Sequence, residues 1–156
     1  METRVSNLPP DPAKHLEETL RKLRLRELPY YPLILVFATG SITDRHCVAM
    51  KREPMPPTGA PFSKDFSRVL HSAYDINPSI HDGAVLFSRS HERDEYSLEA
   101  WSMRIVSTAA PVAAESNHGS AFNSAHSLSA VHNVDLCSIL SKESASFFRN
   151  GVAIEE

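Results

Sequence analysis

The sequence predicts a layered α/β domain with a mixed central β-sheet flanked by helices. Two observations carry that expectation. Short runs of apolar, β-forming residues recur along the chain, over 31–38, 84–87 and 136–140, each suited to a strand covered on both faces. Between them lie stretches with apolar residues at helical spacing, so strands alternate with two or three helices, which is the pattern of an α/β layer structure.

Residues 1–10 form a polar, proline-bearing arm expected to stay mobile, and residues 11–156 are read as one domain. Asp11-Pro12 supplies an N-cap followed by proline at the first helical position. Leu16, Leu20 and Leu23 then follow at i, i+4 and i+7, an amphipathic helix that Pro29 stops. Its basic run, Arg21, Lys22, Arg24 and Arg26, reads as a solvated face in the last turns, where cations suit the helix dipole. Residues 31–38 are a buried strand and 46–51 a weaker one. The segment 55–61, with three prolines and a glycine, is a loop serving as a lid or a connection. Ser63 is placed to cap a second helix whose buried face is Phe66, Val69, Leu70 and Ala73, ending before Asn77-Pro78. Residues 84–87 form a strand, 89–95 a charged turn, and 98–106 a longer strand of alternating character. A loop over 109–119 leads to a short helix from Ser120 to about Val131. Residues 136–140 read as another buried strand. Asn150-Gly151 between apolar flanks then predicts a closing hairpin.

At 156 residues the chain is long enough for one self-sufficient core and too short for two ordinary domains. A net charge of −3 gives no basic excess for a duplex, so DNA binding is not expected. Cys47 and Cys137 are too few for a disulfide framework, and no Cys/His cluster suggests structural zinc. No stretch approaches the ~20 apolar residues that span a bilayer, and no basic-then-apolar leader is visible. A cytoplasmic protein without membrane attachment is expected. No nucleophile elbow, P-loop or dinucleotide loop occurs. His118, His126 and His132 share no regular helical face, and Trp101 reads as core.

The most informative stretch is Asn77-Pro78-Ser79-Ile80-His81-Asp82-Gly83-Ala84, leading into an apolar strand. It sets a carboxylate and a glycine at the mouth of that strand. Gly83 lets the backbone approach a ligand, and Asp82 is able to hold Mg²⁺ or Mn²⁺ against a phosphate. On physical grounds alone, an Asp-Gly turn before a core strand explains the same residues.

The stretch resembles the first signature of the diadenylate cyclase domain family, which includes the nucleotide-binding domain of the DNA-integrity scanning protein. The preceding helix, from Phe66 to Tyr74, is similar too. The family's second signature, Gly-Thr-Arg-His-Arg-Ala-Ala-Leu-Gly-Ile-Ser, aligns without a gap on the stretch from Gly119-Ser120-Ala121-Phe122-Asn123 to Ser129. Downstream, the family's aspartate, apolar strand and Ser-Glu-Glu become Asp135, 136–140 and Ser141-Lys142-Glu143, one residue shorter. The resemblance covers roughly residues 16–154.

That resemblance implies a nucleotidyltransferase-like site that joins two ATP molecules into cyclic di-AMP with release of pyrophosphate. It implies Asp82 as the catalytic, metal-holding aspartate with Mg²⁺ or Mn²⁺, and nucleotide contacts from Gly83, Ala84, Ser120, Asn123, Ser141 and Glu143. Ala121 and Phe122 stand where the family carries an Arg-His pair, and neither offers phosphate a donor. Losing such donors costs ~10²–10³ in rate for each one. The expected function is therefore a divergent domain that binds ATP or a related adenine nucleotide, with cyclase activity weak or lost. A nucleotide-sensing module that acts through a partner protein, or an unrelated α/β protein, are the alternatives. Because head-to-tail joining needs two facing sites, and 115–120 offers no apolar anchor, self-association is expected to be weak.

Overall fold

A computed structural model describes residues 11–106 and 119–154. The arm over 1–10 and nearly all of the loop over 109–119 lie outside the described residues, as does most of the segment 115–120.

The seven strands form one mixed sheet: β1 (Leu33–Thr39), β2 (Cys47–Ala49), β3 (Ala84–Arg89), β4 (Ser97–Ile105), β5 (Val134–Leu140), β6 (Ala145–Arg149) and β7 (Val152–Ile154). Their order is β2-β4-β3-β1-β5-β6-β7. Among the described residues only β1 and β3 pair in parallel, Leu35 opposite Val85, and the other strand pairs are antiparallel. The crossover from β1 to β3 carries β2 and the helix α2 (Phe66–Ile76). The hairpin forms as expected: Asn150 (φ +53) and Gly151 (φ +76) turn β6 into β7.

The two faces of the sheet carry separate cores. On one, Leu16, Leu20 and Leu23 of α1 (Leu16–Arg24) and Phe66, Leu70 and Ala73 of α2 pack on Leu35, Phe37, Val85, Phe87, Trp101 and Phe147. On the other, Ala125 and Leu128 of α3 (Ser120–Leu128) pack on Val36, Leu86, Cys137 and Phe148. Alternation along each strand divides its side chains between the two layers. Trp101 is core, stacked on Phe66 with its indole N–H donating to the Pro57 carbonyl at 2.9 Å. The proline-rich segment is a connection stitched to β4, with Gly59 N–H donating to the Leu98 carbonyl and Leu98 N–H to that of Ala60.

Three local expectations shift. Asp11 caps a 3-10 turn (Pro12–His15) that precedes α1, its carboxylate accepting from Ala13 N–H. Ser63 does not sit at the N-cap of α2: Asp65 does, and Ser63 Oγ accepts from Asp65 N–H one turn earlier. Arg89 belongs to β3 rather than to a charged turn, and its side chain is 3% exposed. It donates to Asp11 Oδ1 and Thr39 Oγ1, both at 2.8 Å, while Asp135 accepts from Thr39 and Tyr96. A second clasp, Arg149 to Glu17, Ala13 and Asp135, ties the same N-terminal segment to β6.

Candidate functional site

At the end of β3 opposite Arg89, the chain turns through a second 3-10 segment, Pro78–His81, capped by Asn77, whose side chain accepts from Ser79 N–H. Asp82 and Gly83 follow and deliver the backbone into β3. Gly83 has φ +100, and a Cβ there would lie 2.8 Å from the Ser102 carbonyl carbon and 2.9 Å from the Met103 oxygen. Glycine is needed because the turn is pressed against the backbone of β4.

A groove of about 520 Å³ opens beside this turn. Asp82, Gly83 and Ala84 line one part of it, Ser120, Ala121 and Ser124 of α3 another, and Arg104 of β4 a third. The two aligned motifs therefore meet in space. Five residues singled out from the sequence, Asp82, Gly83, Ala84, Ser120 and Ala121, share one cavity.

The others do not line it. Phe122 is half-buried and packs against the core, edge-to-face on Phe148 with ring centroids 4.9 Å apart. Asn123 is exposed on α3, outside the groove lining. Ser141 lies beyond the end of β5, its hydroxyl accepting from Ser144 N–H, and Glu143 is exposed in that same turn. Asp135 sits at the far end of the sheet in the Arg89 cluster. Of the three histidines, buried His126 bonds the Gly151 carbonyl through Nε2, His132 is exposed, and His118 lies outside the described residues. Both cysteines are free and buried, and burial pushes the Cys47 thiol up to about 11.

Three residues beside the Asp82 turn or in the groove, Arg52, Ser102 and Arg104, were not singled out from the sequence. Arg52, from the segment after β2, donates through Nη2 to Asp82 Oδ2 at 3.2 Å and through Nε to Ser102 Oγ at 2.9 Å. Ser102 is buried at φ +54 and donates its hydroxyl to the Asp82 carbonyl. The pairing of β3 with β4 is irregular between Ala84 and Leu86, and that irregularity places Ser102 under the turn. Arg104 follows two residues later and lines the groove. An arginine in an alternating strand was a visible signal. The partnership of Arg52 with Asp82 depends on a loop path that no local pattern encodes.

The resemblance puts a divalent ion on Asp82. That carboxylate is 68% exposed and already faces a guanidinium, and among the described residues no three His, Cys, Asp or Glu side chains gather to hold a metal. With the Arg52 guanidinium on its one carboxylate, the turn does not fit Mg²⁺ or Mn²⁺.

No family model matches the chain, and no curated protein matches it. Solved structures do. DacA of Staphylococcus aureus, a diadenylate cyclase seen as a cysteine double mutant, superposes with a TM-score of 0.55 at 16% identity, over 92% of this chain and 84% of that one. The fold is diadenylate-cyclase-like. A hypothetical membrane spanning protein from Bacillus cereus superposes with a TM-score of 0.58 at 19% identity, over 92% of this chain. The chain spans 62% of that protein's length. Among the described residues of this chain, no helix is long and apolar enough to cross a membrane.

Proposed function

We propose that this chain is a divergent diadenylate-cyclase-like domain that binds ATP or a related adenine nucleotide in the Asp82 groove, with cyclic di-AMP synthesis weak or lost. One observation carries the reading: the 82–84 turn and the start of α3, far apart in sequence, line a single groove in a diadenylate-cyclase-like fold. A turn that served only to enter a strand has no reason to face a second motif across a cavity.

Binding without turnover is favoured by what occupies the second motif. Ala121 reaches the groove with a methyl group, and half-buried Phe122 packs against the core on Phe148. Neither donates to charge developing on a phosphate. Self-association is proposed to be weak, with sedimentation giving a monomer–dimer exchange; a dilution-resistant oligomer speaks against it.

The test is calorimetric titration with ATP and GTP, followed by product analysis after incubation with ATP and Mn²⁺. ATP binds, and cyclic di-AMP is absent or formed at a small fraction of total nucleotide. No heat or thermal stabilisation with any nucleotide rejects the reading. Robust cyclic di-AMP formation rejects its catalytic half.

A further inference from the structure

We infer that the groove binds the phosphate chain of its ligand without a divalent metal, and that Arg52 and Arg104 supply the positive charge a metal would bring. The inference rests on the nucleotide-binding reading and goes on to what neutralises the phosphates.

Arg52 is a held group rather than a loose surface arginine. Its side chain is 20% exposed, its Nε is fixed by Ser102 Oγ and its Nη2 by Asp82 Oδ2, and Met50 Sδ lies 3.8 Å from Nη2. Ser102 also bonds the Asp82 main chain, so residue 82 and Arg52 are locked to one another through the same hydroxyl. Nη1 has no protein acceptor among the described residues. Much of the cost of ordering this side chain is thus met in the ligand-free fold.

Arg104 completes the arrangement. It is exposed, lines the groove, and makes no ion pair among the described residues. Arg52 thus reaches the groove through its pair with Asp82, and Arg104 lines the same groove as that aspartate, in a protein whose net charge is −3. A divalent ion on Asp82 has to displace the Arg52 guanidinium from its one carboxylate partner among the described residues, in a groove that Arg104 also lines. A phosphate chain need not displace that pair: Arg52 Nη1 and the Arg104 guanidinium remain as charged donors for its oxygens. Local charge and geometry both favour the bare anion over the metal.

The experiment titrates the full chain with sodium ATP in EDTA and again in Mn²⁺. Affinity in EDTA equals or exceeds that in Mn²⁺. Arg104→Gln, on an exposed side chain, weakens ATP binding in EDTA by roughly tenfold or more. Arg52→Gln weakens it by a similar factor and makes it Mn²⁺-dependent, since Asp82 is then free to take the ion. Arg52→Lys, which keeps the charge but not the fork, restores part of the loss in EDTA, and a melting curve of each apo variant confirms that it folds. ATP binding that requires Mn²⁺ in the wild type overturns the inference and leaves the nucleotide reading standing. Unchanged binding in Arg104→Gln and Arg52→Gln also overturns it. Absence of ATP binding under both conditions removes the nucleotide reading itself.

Discussion

Gly83→Ala tests the geometry of the site turn without any ligand. At φ +100 an alanine is strained, which costs about 1–3 kcal/mol. The new Cβ would also stand 2.8 Å from Ser102 C, 2.9 Å from Met103 O and 2.8 Å from Met50 Cε. The methionine tip can move aside, but the two backbone atoms belong to β4 and shift only with the strand. That displacement adds about 1–3 kcal/mol, for a total of about 2–6 kcal/mol and a fall in Tm of roughly 4–24 °C in a chain of this size. Gly59 provides the control: its φ is +101, and a Cβ there meets nothing within 4 Å. Gly59→Ala therefore carries the strain alone, and the difference between the two variants isolates the close approach to β4. Urea unfolding of both, read by tryptophan fluorescence, gives that difference directly. Equal losses in the two variants, or a loss below about 0.5 kcal/mol for Gly83→Ala, refute the argument that the turn is pressed against β4.

The Arg89 cluster predicts two further outcomes. Arg89→Met leaves Asp11 and Asp135, 21% and 24% exposed, without their guanidinium. It lowers unfolding free energy by about 2–4 kcal/mol, somewhat less than for a fully buried pair. The Arg89 hydrogen bond holds the Asp11 carboxyl below its ordinary 3.8, so the folded state binds that proton less readily than the unfolded one. Its contribution is full above the unfolded value and is lost as pH falls through the lowered one. The stability gap between wild type and Asp11→Asn, from urea midpoints, is therefore constant from pH 7 to 5 and shrinks below pH 4. At α3, Ala121→Arg raises ATP affinity, at a cost of about 0.3–1 kcal/mol from a cation near the helix N-terminus. Phe122→His loses about 1–3 kcal/mol of packing on Phe148 and gains no affinity; a gain would mean that residue 122 reaches the groove.

Most of the fold was legible because its signals are local. The apolar runs became β1, β3 and β5, the i, i+4, i+7 leucines became the buried stripe of α1, and Asn150-Gly151 became the hairpin. Strand order was not legible: β5 lies beside β1 although β2, β3, β4 and two helices come between them in sequence, and pairing of that kind is set by tertiary packing. Arg89 was misplaced for a related reason. A charged residue after an apolar run reads as the start of a turn, whereas its burial is made possible by Asp11, Thr39 and Asp135, which arrive from three other segments. At the site, the glycine and the aspartate announced themselves, but Arg52 did not, because its significance lies in the Asp82 carboxylate it meets.

Ala121 and Phe122 show how far an ungapped alignment carries. Consecutive residues on a helix point about 100° apart. On α3 this turns Ala121 toward the groove with Ser120 and Ser124, and Phe122 toward Phe148 with His126 one turn on. An arginine at 121 would reach the cavity, while a histidine at 122 would first have to leave the core. The departures at 121 and 122 from the Arg-His pair of the resemblance are therefore unequal in this chain. The first removes a charge from the groove and is open to reversal; the second has been absorbed into packing. Arg104, entering the same groove from β4, places a cation where the first loss is felt. If that arginine compensates for the alanine, Ala121→Arg restores more affinity in an Arg104→Gln background than in the wild type. Additive effects of the two changes would separate the positions and leave Arg104 with a role of its own.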